Sequence, residues 1–173
     1  VGVEEDLGPL KQAAACVLML GGGYAVLYLF LALQGHQPSM TRGLPVAAED
    51  YYAAACLYSL PLCLGLAFLV GAAADLASGD GRGPVYGFRA FAPGYAGPLL
   101  WCFVVPDLLV LGLFGFETLA MAMRFTAPVA VVLVMIRTYR VSRGLYSVSR
   151  SRAVWMTLLA ALAQAVPAGL LLR

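Results

Sequence analysis

Charged residues are scarce in this sequence. Only 12% of its 173 residues are charged, and 62% are hydrophobic, whereas about one quarter of a soluble domain is charged. The mean hydropathy is +0.86. A soluble globular fold is therefore not expected, and the composition predicts an integral membrane protein. With a formal net charge of only +2, the chain also lacks the basic surface of a nucleic-acid-binding protein, so we expect no nucleic-acid partner.

The groups that carry most enzyme and cofactor chemistry are also scarce. His36 is the single histidine, which excludes a haem held by two histidines of this chain. The four cysteines form no CxxC pair, so neither a zinc ribbon nor a disulfide framework is predicted. The glycine-rich stretch 79–83 lacks the Lys-Ser/Thr of a phosphate-binding loop. We therefore expect no enzyme activity, no metal and no cofactor, and only bound lipid as a ligand.

What the sequence does have is long apolar runs. A bilayer core of about 30 Å needs roughly 20 apolar residues in a helix. The runs predict an all-α bundle of five transmembrane helices in a single membrane domain, 1–173, with spans at about 13–33, 52–74, 98–116, 118–136 and 153–172. The segment at about 85–97 mixes aromatic residues with Arg89, Gly and Pro, which predicts a segment along the membrane interface.

A basic segment, 137–152, separates the last two predicted spans. Five of the eleven Lys and Arg residues of the chain lie in it: Arg137, Arg140, Arg143, Arg150 and Arg152. Positive charge in short loops marks the cytoplasmic side. Eight of the eleven then lie on that side, which predicts a cytoplasmic N-terminus and a C-terminus outside. The arginines alternate with serines, so the segment either contacts lipid headgroups or an acidic partner, or only sets the orientation.

Small residues predict where helices approach one another closely. Gly21, Gly22 and Gly23 lie together in the first span, and glycine in a membrane helix mainly permits close packing. In the last span a small residue recurs every fourth position, at Ala161, Ala165 and Gly169. Both sets are predicted helix-packing faces, within this chain or toward other membrane subunits.

Asp107 is the acid that lies deepest within an apolar run, where a carboxylate costs roughly 2.5 to 3.5 kcal/mol on insertion scales. If the third and fourth spans form a hairpin near Glu117, Asp107 and Arg124 differ in depth by three residues. That offset is about 4.5 Å of helical rise, so we predict an ion pair between them. The pair could serve as a proton or ion relay, or it could fix the register of two helices.

Several short motifs resemble the Yip family, the Rab-interacting membrane proteins of the secretory pathway and their bacterial relatives. The matching stretches are Tyr51-Tyr52, Gly94-Tyr95-Ala96-Gly97-Pro98, Phe103-Val104-Val105-Pro106 and the run from Arg140 to Ala153. Asp6-Leu7-Gly8-Pro9 lacks the Tyr of the eukaryotic motif, and the composition is more similar to a bacterial member. The resemblance implies a five-pass fold in the bacterial cytoplasmic (inner) membrane rather than a particular reaction.

Three functions are consistent with the sequence. The first is a non-catalytic structural or accessory subunit that packs against membrane lipids and other membrane proteins. The second is a small transporter or channel subunit that uses Asp107 and Arg124. The third is an accessory subunit of a redox or energy-converting complex, which would hold quinone, pigment or lipid without ligating a metal.

Overall fold

A computed structural model describes residues 3–38 and 46–171, with side chains for residues 10–38 and 46–163. Every regular element in these ranges is helical, so the all-α prediction is confirmed for the described residues. The helices are α1 (Val3–Leu33), α2 (Tyr51–Ser78), α3 (Pro84–Leu99), α4 (Val105–Phe114), α5 (Phe116–Leu145) and α6 (Arg150–Leu171). A short 3₁₀ turn, Ala48–Asp50, precedes α2, and a π-helical turn, Leu100–Val104, joins α3 to α4.

Helix α1 buries one narrow stripe against α2 and α3. The stripe consists of Ala13, Val17, Leu20, Tyr24, Leu27 and Leu31. Its members are spaced alternately four and three residues apart, which is the heptad pattern of helices that pack with interlocking side chains. The residues between them, such as Met19 and Phe30, are exposed. Because apolar residues lie on every face of α1, the packing against α2 and α3 decides which of them are buried.

Helices α2 and α3 make backbone contact where they cross. A Cβ atom on Gly71 would lie 2.5 Å from the backbone nitrogen of Phe88, and one on Gly87 would overlap the carbonyl oxygen of Gly71. Only glycine leaves room for such an approach. This crossing brings the C-terminal end of α2 against the first turns of α3.

The third apolar helix differs from the sequence prediction. The segment 85–97 does not form a separate surface segment, because α3, the π-helical turn and α4 run on without a break from Pro84 to Phe114. Its glycines and aromatic residues pack inward, with Gly87, Phe91 and Tyr95 buried. Proline at the first turn of α3 suits a helix start. The π-helical turn precedes Pro106, which lacks the N–H that a regular turn requires.

A single residue, Gly115, separates α4 from α5. Its φ of 83° lies in the region that favours glycine, and it folds the two helices into a hairpin. Helix α5 also packs against α3 and α6, and α6 packs against α2. One end of the resulting bundle is formed by the loops 79–83 and 146–149, and we call it the basic end.

Four helices of the described chain are long and apolar enough to cross a membrane: Leu10–Leu33, Ala48–Ser78, Pro84–Phe114 and Phe116–Leu145. Large apolar side chains are exposed along them, among them Leu57, Trp101 and Phe125. These features fit an integral membrane protein. The predicted fifth span, 153–172, lies partly outside the residues whose side chains are described, so it stays a prediction.

Candidate functional site

Asp107 is fully buried, but its partner is not the predicted one. Its Oδ1 accepts a hydrogen bond from the Thr126 hydroxyl at 3.1 Å, and Oδ2 has no hydrogen-bond partner among the described residues. Arg124 is exposed. Within the described ranges no ion pair joins Asp107 to Arg124, so the predicted pair is wrong.

The reason lies in the rotational phase of α5. Residues that are two positions apart in an α-helix, such as Arg124 and Thr126, differ by about 200° around the helix axis. Because Thr126 faces Asp107, Arg124 lies on nearly the opposite side of α5. The rise along the helix places Arg124 at a suitable depth for Asp107. The rise does not determine which face of α5 Arg124 occupies.

The basic segment is more helical than predicted. Arg137, Arg140 and Arg143 lie on the last turns of α5, and Arg150 and Arg152 lie on the first turn of α6. The connecting loop is therefore only 146–149. Arginine has a high helix propensity, and all five side chains are exposed. The segment thus concentrates positive charge at the basic end while its backbone remains helical.

The predicted packing residues have different surroundings. A Cβ on Gly21 would lie 2.9 Å from the Cα of Leu60, and one on Gly23 would lie 2.9 Å from Val104, whereas Gly22 has nothing within 4 Å. Ala161 is partly buried. Ala165 and Gly169 lie outside the residues whose side chains are described. The close contacts of Gly21 and Gly23 are with α2 and with the turn between α3 and α4.

A second buried carboxylate, Asp75, forms a polar junction at the basic end. Its Oδ1 accepts a hydrogen bond from the Tyr146 hydroxyl at 3.0 Å, and its Oδ2 accepts one from the Gly83 backbone N–H at 2.9 Å. Asp75 belongs to α2, Gly83 is the last loop residue before α3, and Tyr146 follows α5. One carboxylate therefore ties three parts of the bundle together.

Tyr146 and Arg82 complete this junction. The Tyr146 ring stacks on Phe91 at 5.7 Å between centroids, and the Arg82 guanidinium lies 5.1 Å from the Tyr146 centroid. Arg82 also donates hydrogen bonds to the Tyr86 hydroxyl at 2.7 Å and to the Leu145 carbonyl at 3.2 Å. Burial, followed by the hydrogen bond to Asp75, raises the pKa of Tyr146 above its ordinary value. The junction therefore favours the protonated hydroxyl.

The bundle also contains a cavity of about 320 Å³ on the side away from the basic end. Residues of α1, α2, α3 and α5 and the turn after α3 line it, and most of them are apolar. Along one wall the Tyr24 ring packs against Phe103 at 6.2 Å and against Tyr28 at 6.0 Å, and Tyr28 packs on Tyr52 at 6.1 Å. Aromatic side chains thus form a continuous row from the middle of α1 to the start of α2.

Two tyrosine hydroxyls of the cavity wall have no hydrogen-bond partner among the described residues. Tyr24 and Tyr95 are 6% and 3% exposed, and both line the cavity. Neither hydroxyl makes a hydrogen bond to any residue of the described ranges, and neither hydroxyl oxygen is fully buried. A buried tyrosine hydroxyl usually has a partner. This cavity therefore contains polar groups that remain available for a ligand.

Neither the junction nor the cavity was predicted from the sequence. Asp75 follows the Ala-rich run 72–74 and resembles an ordinary helix end, and its partners lie 8 and 71 residues away. Tyr24, Tyr28 and Tyr52 are spaced like interfacial or packing aromatics. One available signal was the presence of several tyrosines within apolar runs, since each brings a hydroxyl that needs a partner.

The described residues contain no group of three or more His, Cys, Asp or Glu side chains that could hold a metal ion. The two buried carboxylates and the tyrosine-lined cavity are therefore the features from which a function can be argued. Comparison of the chain with models of known families, with curated proteins and with solved structures finds no match.

Proposed function

We propose that this chain is a non-catalytic, multi-pass membrane protein that works as a structural or accessory subunit, packing against lipids and other membrane proteins. The observation that carries the proposal is that buried Ser and Thr hydroxyls donate hydrogen bonds to backbone carbonyls. Those of Ser59, Ser78, Ser142 and Thr157 each donate to a carbonyl of their own helix, at 2.6 to 2.9 Å. A hydroxyl that donates to a backbone carbonyl has its own hydrogen bond satisfied within the helix. It is not activated as a nucleophile by a neighbouring base.

The proposed orientation places the basic end in the cytoplasm, with the N-terminus inside and the C-terminus outside a bacterial cytoplasmic membrane. The exposed arginines of 137–152 and the resemblance to the Yip family support it. A reporter that is active only in the cytoplasm, fused to the C-terminus, should be inactive. Activity of that fusion would overturn the orientation.

The lipid contact at the basic end can be measured directly. We expect the purified protein in mild detergent to retain phosphatidylglycerol over phosphatidylcholine by native mass spectrometry, because a basic residue near an anionic surface contributes about 1 kcal/mol. The double variant Arg150→Gln, Arg152→Gln should reduce this preference severalfold. The Arg150→Lys, Arg152→Lys variant keeps the charge and should preserve it. Equal retention by both variants would contradict the proposed lipid contact.

A small transporter is the second candidate, and the unpartnered Oδ2 of Asp107 is the observation that favours it. Since Arg124 faces away, Asp107 would act with Thr126 instead. Liposomes containing the protein should then show ion flux that Asp107→Asn abolishes. No flux from a correctly folded protein, or flux unchanged by Asp107→Asn, rules out this role for Asp107.

A further inference from the structure

We infer that the cavity between α1, α2, α3 and α5 binds a membrane-soluble planar molecule with carbonyl acceptors, of the quinone class. This inference deepens the proposed accessory role by naming a ligand. The cavity volume of about 320 Å³ is within the range of small-molecule sites. It is about twice the 150 Å³ that accommodates a benzene in an engineered protein cavity.

The aromatic wall favours a planar ring. Tyr24 and Tyr28 stack with an interplanar angle of 19°, and Tyr28 and Tyr52 with one of 20°. Neighbouring rings that are nearly parallel present similarly oriented surfaces, and aromatic pairs gain energy from such offset stacking. A planar ligand ring could extend this row.

The buried phenols favour carbonyl oxygens over a plain hydrocarbon. Tyr24 and Tyr95 present hydroxyl donors without partners in the described structure, and both lie within helices that are long enough to cross a membrane. A saturated chain that fills the cavity would bury both donors without an acceptor, which is costly for each of them. A quinone carbonyl can accept a hydrogen bond from each.

The route of entry is lateral. Helices α2 and α5 both line the cavity but scarcely touch one another. Between them the lining residues Ala120 and Val131 are exposed on the apolar outer surface. A ligand dissolved in the bilayer can therefore approach the cavity without crossing the polar junction.

The test uses two radiolabelled probes that share a ring and a tail but differ in carbonyls: decyl-benzoquinone and decylbenzene. Retention is measured in phosphatidylcholine nanodiscs with the protein, after subtraction of empty nanodiscs. We expect saturable binding of the quinone about 25-fold tighter than that of decylbenzene, because each of two hydrogen bonds provides about fivefold. Equal affinities would overturn the quinone class. Absence of saturable binding of either probe would overturn the site.

The phenols are tested by Tyr24→Phe and Tyr95→Phe. Each should weaken quinone binding about fivefold, and the double variant should bring it to the level of decylbenzene, whose own binding stays unchanged. Tyr58→Phe is the matched control, because Tyr58 lies on the outer surface and is 55% exposed; it should change neither probe. A quinone preference that persists in the double variant overturns the assignment of the donors.

A cavity-filling variant tests the location independently of the tyrosines. Ala127 lines the cavity from α5, so Ala127→Phe should reduce the binding of both probes. Unchanged quinone binding in this variant would place the ligand elsewhere. These measurements report only on the ligand, so they can fail while the lipid preference at the basic end persists.

Discussion

The two buried aspartates of this bundle have opposite surroundings. Asp75 has a hydrogen bond on each carboxylate oxygen, from Tyr146 and from Gly83. Asp107 has one, from Thr126, and its other oxygen has no partner in the described part of the chain. The comparison shows that the apolar sequence context of an acid does not tell whether the acid serves the fold or remains available.

The same contrast separates the two halves of the bundle. At the basic end the polar groups bond to one another, and the junction around Asp75 connects α2, α3 and α5. In the cavity half, the hydroxyls of Tyr24 and Tyr95 have no hydrogen-bond partner among the described residues. Satisfied polar networks rigidify a structure, whereas unsatisfied buried groups call for a ligand or a function. We therefore assign stability to the basic end and ligand binding to the cavity.

A large side chain at the α2–α3 crossing should cause the largest loss of stability. In Gly71→Leu the new side chain collides with the backbone of α3 near Phe88, and backbone cannot yield as a flexible side chain can. We expect a loss of about 3 kcal/mol in unfolding free energy, measured by denaturant titration in mild detergent. Gly65→Leu, on the same helix with nothing within 4 Å, should be nearly neutral. Similar losses for both variants would mean that the crossing is not the cause.

Matched alanine substitutions of the two acids sharpen the comparison directly. Asp75→Ala leaves the Tyr146 hydroxyl and the Gly83 N–H without an acceptor, which should cost about 2 kcal/mol of unfolding free energy. Asp107→Ala should cost less than about 1 kcal/mol or stabilise the protein. The carboxylate is removed, and Thr126 keeps its bond to the Ala122 carbonyl at 3.3 Å. If both variants lose the same stability, the proposed difference between the two acids is wrong.

Tyr146→Phe isolates one hydrogen bond of the junction. The ring contacts with Phe91 and Tyr86 remain possible. The free energy of unfolding should therefore fall by only about 1 kcal/mol, the contribution of one hydrogen bond. Tyr58→Phe serves as the exposed control and should leave thermal stability unchanged. A loss as large as that of Asp75→Ala would show that the Tyr146 hydroxyl accounts for most of the junction.

The smallest expected effect is the pH dependence of the stability difference between the wild type and Tyr146→Phe. Because the folded pKa of Tyr146 is raised, its contribution is present in full below the unfolded pKa of about 10 and is lost as the pH rises above it. The stability difference between the wild type and Tyr146→Phe should be constant from pH 7 to 9 and should shrink above pH 10. A difference that grows with alkaline pH would contradict the raised pKa.

The sequence by itself determined the helical class and the positions of the apolar runs, because length and hydropathy are local properties of the chain. It also located the charge of the basic segment. Helix ends were less well predicted: α5 continues through Arg137, Arg140 and Arg143. The segment 85–97 joins a long helix because close packing at Gly87 offsets the weak helix propensity of its glycines and prolines.

Only the tertiary structure decided which polar groups meet. The partner of Asp107 is Thr126 rather than Arg124, because the rotation of α5 about its axis follows from packing on α3, α4 and α6. Asp75 meets Tyr146 across 71 residues of sequence, and the tyrosine-lined cavity is lined by α2 and α5, which scarcely touch one another. Hydropathy sets the depth of a residue along a helix. Its rotational phase and its neighbours come from the packing of whole helices against one another.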